Sequence, residues 1–196
     1  MYQTIWRRRI LALVLAAAFC LALAGCGSAP SSATGEGGAD QASSGQDYAF
    51  AIRDARPAED NEYSEIVSGD AGSEPFYAVN PNDVSGEAVS AMIGMMLETM
   101  GLDADTLDAY AFSMSMMNVR AYAIGVFRPV KDKAQDVQAA LEEYVSLQQQ
   151  NFNQYLEDQY EIAKDAQIKT LPGGEIVLVM AENAGDILDK LESALS

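Results

Sequence analysis

Leu107-Asp108-Ala109-Tyr110-Ala111-Phe112-Ser113-Met114-Ser115-Met116-Met117 alternates bulky and small side chains, and Arg120-Ala121-Tyr122-Ala123-Ile124-Gly125-Val126-Phe127-Arg128 repeats the habit shortly afterwards. Alternation with a period of two marks a strand, because successive side chains leave opposite faces of the pleat. The first segment puts Tyr110, Phe112, Met114 and Met116 on one face and Ala111, Ser113 and Ser115 on the other. The second puts Tyr122, Ile124 and Val126 on one face and Ala121, Ala123 and Gly125 on the other. Asn118 can supply a tight turn between them, so the two strands should pair as an antiparallel hairpin.

Working outward, Val89, Met92, Ile93, Met96 and Met100 recur at spacings of three and four. That pattern predicts a helix capped by Asp83 or Ser85 and ended by Gly101. After Pro129 a helical pattern runs from Lys131 to Asp165, with Val137, Leu141, Tyr144, Val145, Phe152, Tyr155, Leu156 and Ala163 on one stripe. At 1.5 Å per residue it would be roughly 50 Å long, too long for a small domain to cover, so a break is expected between Asn153 and Asp158. Gln167 to Leu171 and Glu175 to Ala181 read as strands around a Pro172-Gly173-Gly174 turn. Ile176 to Met180 is apolar on both faces, which predicts a place at the centre of the sheet. Ala184 to Leu195 reads as a terminal helix. Residues 83–196 are therefore expected to form an α+β domain, a small antiparallel four-stranded sheet with packed helices in the order α-β-β-α-β-β-α.

Upstream of that domain the signals are of a different kind. Arg7-Arg8-Arg9 precedes an apolar run from Ile10 to about Ala22, and Leu23-Ala24-Gly25-Cys26 closes it. The run is shorter than the roughly 20 residues a spanning helix needs. A basic start, an apolar run and small residues before a cysteine read as a lipoprotein signal, residues 1–25, with diacylglycerol placed on Cys26. Cleavage would remove Cys20 and leave no free thiol. Residues 26–46, rich in Gly, Ser and Ala, read as a disordered tether. Residues 47–82 read as an irregular acidic segment: Tyr48, Phe50 and Ile52 alternate like a short strand, and Phe76 to Val79 is a second apolar run, with acids, Gly and Pro between. The expected location is the extracytoplasmic face of the cell membrane, held by the lipid.

Composition narrows the chemistry. The chain of 196 residues carries 12 basic and 29 acidic side chains, and removal of the signal would leave nine basic ones and a formal charge of −20. Such a surface repels nucleic acid and anionic lipid headgroups. Histidine is absent, which removes His-based triads and His zinc sites.

The lipobox at Cys26, the Tyr110–Met117 strand with its Ser115-Met116-Met117 run, and Ala123 to Phe127 leading to Lys131 and Lys133 form a recognisable set. To these are added the block Phe152-Asn153-Gln154-Tyr155-Leu156-Glu157-Asp158-Gln159-Tyr160, then Ala166 and the strand from Gly174 to Met180. In these features the chain resembles short lipoproteins of Gram-positive bacteria that carry a domain of unknown function, over roughly Ser90 to Leu195. The resemblance implies the fold and the membrane location and brings no catalytic residues with it.

Three candidate chemistries remain. Seven of the nine methionines fall between Met92 and Met117; thioethers can bind Cu(I), although the spacing points most of them into a core. Asp103, Asp105 and Asp108 do not satisfy a calcium-loop pattern, since the glycine and final glutamate are missing, and acids at a turn usually cap or face water. The aromatic-amide block with Phe152, Tyr155 and Tyr160 is the expected binding surface, as tyrosines and amides suit wet interfaces. No cofactor or metal is expected. The balance favours a non-enzymatic binding module for an envelope protein or ligand; the alternatives are a carboxylate-dependent hydrolase of cell-wall material and a methionine-based metal chaperone.

Overall fold

The computed structural model describes residues 43–78 and 86–196. Cys26, the signal and most of the tether lie outside these, as do the expected caps Asp83 and Ser85. In chain order the elements are α1 (Gly45–Ala55), α2 (Asp60–Tyr63), β1 (Val67–Asp70), β2 (Phe76–Tyr77), α3 (Glu87–Thr99), β3 (Leu107–Met114) and β4 (Ala123–Pro129). There follow α4 (Ala134–Phe152), α5 (Glu157–Lys164), β5 (Gln167–Thr170), β6 (Ile176–Met180) and α6 (Ala184–Ala194).

The expected hairpin is the middle of the sheet. β3 and β4 pair antiparallel with their alternations in complementary phase, bulky opposite small: Phe112 faces Gly125, Met114 faces Ala123, Ala111 faces Val126 and Ser113 faces Ile124. Gly125 is needed there, because a Cβ would fall 2.5 Å from the Phe127 ring. That ring lies across the glycine and stacks on Phe112 with centroids 6.0 Å apart. The connection is longer than a tight turn at Asn118. β3 ends at Met114, Ser115 N donates to Tyr122 O at 2.9 Å, and the chain between them loops out.

The four-stranded sheet expected from the sequence is a six-stranded open one, antiparallel throughout, in the order β2-β1-β3-β4-β6-β5. β6 is buried on both faces as its composition requires. It lies one strand in from the edge, however, and β3 and β4 take the centre. One face, with Tyr110, Phe112, Phe127, Ile176 and Leu178, is covered by α3, α4 and α5. The other, with Ala111, Ile124, Val126, Val177 and Val179, is covered by α1 and α6.

The extra elements come from the segment read as irregular. Ser44 and Asp47 form a capping box: the Ser44 side chain accepts from Asp47 N, and the Asp47 carboxylate accepts from Ser44 N at 2.8 Å. The helix then turns Tyr48, Ala49, Ile52 and Ala55 onto the sheet and leaves Phe50 outside. Tyr48 and Ile52 are thus one helical turn apart on one face, and their apparent alternation with Phe50 was too short to tell a strand from a helix. β1 carries no strand signal of its own, because Val67-Ser68-Gly69-Asp70 has one aliphatic side chain; it is a strand through pairing with β3. The predicted break in the long helix is found between Phe152 and Glu157. Among the described residues no helix is long and apolar enough to cross a membrane.

Candidate binding groove

α3 turns Val89, Ile93, Met96 and Leu97 into the core, which leaves Met92 at its margin and Met95 in solvent. Beside it, Met114 is the last paired residue of β3, and the chain leaves the ladder before Met116 and Met117. These two are 55% and 67% exposed. Core packing accordingly accounts for Met96, Met100 and Met114, and not for Met92, Met95, Met116 or Met117. The strand face expected to hold Met116 stops two residues short of it.

Met92, Met96, Met114, Met116 and Met117 line one open groove of about 270 Å³, with Tyr63, Glu65, Tyr77 and Arg120 among the other wall residues. The Tyr77 hydroxyl donates to Met92 Sδ at 3.6 Å. Burial, and secondly the Glu65 charge, push the Tyr77 pKa up, so the hydroxyl keeps its proton at neutral pH. The wall thus offers thioethers, aromatic rings and one oriented hydroxyl.

Arg120 separates the groove from a larger, more polar cleft of about 510 Å³ that includes Glu59, Asp60, Tyr122, Gln159, Glu182 and Asn183. Its guanidinium pairs with Asp60 at 2.8 Å and lies 4.3 Å from the Tyr122 ring centre. Gln159 does not project freely: its Oε1 accepts from Ala121 N at 2.8 Å, tying α5 to the β3–β4 loop. Nearby Arg56 is buried and donates to Asn61 Oδ1 at 2.7 Å, Ser113 Oγ at 2.9 Å, Tyr122 Oη at 3.1 Å and Ser64 O at 2.6 Å. All four acceptors are neutral, so this cation is satisfied by hydrogen bonds.

A second charged cluster lies at the other end of α1. Arg128 and Tyr48 both donate to Glu175 Oε1, and Arg128 Nη1 also reaches Ser43 O at 3.1 Å. Burial raises the Glu175 pKa, but hydrogen bonds from Arg128, its own backbone and Tyr48 together outweigh that and hold the carboxyl below its usual range. Burial, then the Glu175 charge, push the Tyr48 hydroxyl well up. Neutral pH therefore finds a phenol and a guanidinium on one carboxylate, an arrangement that fastens α1 to β4 and to the start of β6. Arg128 and Glu175 stand at strand ends, where charge is common, and no pattern in the sequence pairs them.

The residues expected to form a binding surface are divided by the fold. Phe152 is 2% exposed and belongs to the core, while Tyr155 is 84% exposed at the α4–α5 break. Tyr160 is half-buried; with Tyr155, Asn153 and Glu161 it borders a shallow depression of about 440 Å³. Asp103 caps the short turn before β3, its Oδ1 accepting from Asp105 N at 3.0 Å. Among the described residues no group of three or more His, Cys, Asp or Glu side chains is placed to hold a metal.

Residues 76–181 match the family model described as Domain of unknown function (DUF4358), and the chain belongs to that family. The match runs from β2 to the residue after β6. No curated protein and no solved structure matches the chain.

Proposed function

We propose that this family member is a lipid-anchored binding module on the outer face of the cell membrane, and that it binds through the methionine-lined groove rather than acting as an enzyme. The observation that carries this reading is the exposure of Met92, Met116, Met117 and Tyr63 around one concavity. Large apolar side chains left in water beside a groove mark an interaction site, and unbranched methionine adapts to what it meets. The lipobox ending at Cys26 supports the location, and the Gly- and Ser-rich tether would let the groove stand clear of the bilayer. The hydrolase alternative would draw on the acids of the cleft beside Arg120, where Asp60 pairs with the guanidinium through Oδ1.

The test is made in cells. A photo-crosslinking amino acid at Met117 should give a discrete adduct, one at exposed Glu142 on α4 should give none, and Cys26→Ala should abolish labelling by a fatty-acid probe. An adduct formed from Tyr155 and not from Met117 would move the site to the α4–α5 break, and labelling retained by Cys26→Ala would remove the anchor.

A further inference from the structure

We propose that the groove holds one soft monovalent metal ion, Cu(I), on methionine thioether sulfur. The inference rests on the groove being the binding site and names what it takes.

Five methionines arrive there from three places: Met92 and Met96 from α3, Met114 from the end of β3, and Met116 and Met117 from the loop beyond it. Among the described residues, every aliphatic side chain lining the groove is a methionine. Unbranched methionine also adapts to an apolar partner, so the metal is distinguished from that occupant by what only a thioether can do. What the five share, and leucine lacks, is sulfur. Thioethers are soft, neutral ligands that select Cu(I) over hard cations and need no deprotonation to bind.

The arrangement has a floor and a rim. Met96 and Met114 are buried to within a tenth of their surface, whereas Met92, Met116 and Met117 are exposed at the mouth. Tyr77 orients one of these rim sulfurs, its hydroxyl meeting Met92 Sδ while leaving a second lone pair free. Tyr63 and Tyr77 place aromatic side chains in the same wall. Electrostatics do not oppose the ion. Among the described residues Arg120 is the one cation in the wall, and its charge is met by Asp60 and the Tyr122 ring. Glu65 adds negative potential close enough to act on Tyr77, and the chain as a whole carries a formal charge of −17.

The experiment uses the full chain with Cys20→Ser and Cys26→Ser, so that thioether is the only sulfur present. Titrated anaerobically with Cu(I) against a chromogenic chelator, it should take up one ion, with a sulfur-only first shell by X-ray absorption and shifted methyl resonances of Met92, Met116 and Met117. The triple variant Met92→Leu, Met116→Leu and Met117→Leu keeps the apolar lining. It should bind at least about tenfold more weakly, the loss that even outer-shell changes cause at metal sites, with an unchanged urea midpoint. Met95→Leu, outside the groove, should bind as the parent does. No uptake, or uptake undiminished in the triple variant, overturns the proposal. Either result leaves the crosslinking from Met117 to stand or fall separately, because that adduct does not depend on sulfur.

Discussion

The two faces of the sheet are covered by different kinds of segment. α3, α4 and α5 lie within residues 76–181, the part matched by the family, whereas α1 precedes that part and α6 follows it. Burial does not respect the distinction. Tyr48 and Ile52 of α1, with Ile66, are as fully enclosed as Phe112, Phe127 and Leu141 on the other side. The reason lies in the strands themselves. Ile176-Val177-Leu178-Val179-Met180 sends apolar side chains both ways, and a strand of that composition needs cover on both faces. A segment bounded by sequence similarity is therefore narrower here than the unit that folds, and the missing layer is supplied by the flanks.

The strongest way to break that equivalence is to charge each layer in turn. Ile52→Asp in α1 and Leu141→Asp in α4 each place a carboxylate at a position with no exposure at all. Each should cost more than about 4 kcal/mol, the range for an unpaired buried charge, and urea unfolding should show the two midpoints falling together. A near-normal midpoint for Ile52→Asp, with rapid tryptic cleavage at Arg53, would make α1 an accessory that the sheet does without.

How much of each layer could be read beforehand follows the same division. The α3–α4 side rests on patterns long enough to identify themselves: the alternation from Ala109 to Met114 in β3, and a helical stripe whose length alone demanded the break after Phe152. The α1 side rests on short pieces. Its helix shows one buried face over three turns, and β1 contributes only Val67 as an aliphatic residue. Such segments take their structure from what they pack against. The site was legible in kind, since the methionine concentration was evident, but its position was not. Met116 and Met117 line a groove because the strand ends at Met114, and strand ends are where a periodic pattern carries least information. Phe152 illustrates the converse, an aromatic in a polar block that the helical stripe draws into the core.

A smaller effect is expected where the layers are tied by charge. Glu175 joins Tyr48 of α1 to Arg128 of β4. Glu175→Gln leaves the guanidinium without its counter-charge, and breaking a largely buried pair from one side should cost about 3 kcal/mol at pH 7. The pH dependence has a definite sign. Because the folded-state carboxyl titrates below its ordinary value, its contribution is complete above the unfolded pKa of about 4.3 and is lost as pH falls through the folded value. The gap between parent and variant should therefore narrow on going from pH 7 to pH 3. A constant gap over that range would mean that Glu175 acts through shape and not through charge.

The smallest effect separates local from long-range support for α1. In Ser44→Ala the helix loses the side-chain half of its capping box, and Asp47 keeps its bond from Ser44 N. Loss of such a cap typically costs about 1 kcal/mol. The Asp47 pKa, lowered first by the backbone bond and then by the side chain, should rise only part of the way to its ordinary value. A helix held chiefly by Ile52, Tyr48 and the Glu175 cluster can absorb that loss and stay docked, because Gly45 still lets it sit against the backbone: a Cβ there would come within 2.6 Å of Gly69 O. If Ser44→Ala instead released α1, shown by amide exchange as fast in α1 as in an unfolded chain, the cap would be the element that holds this layer and the packing beneath it secondary.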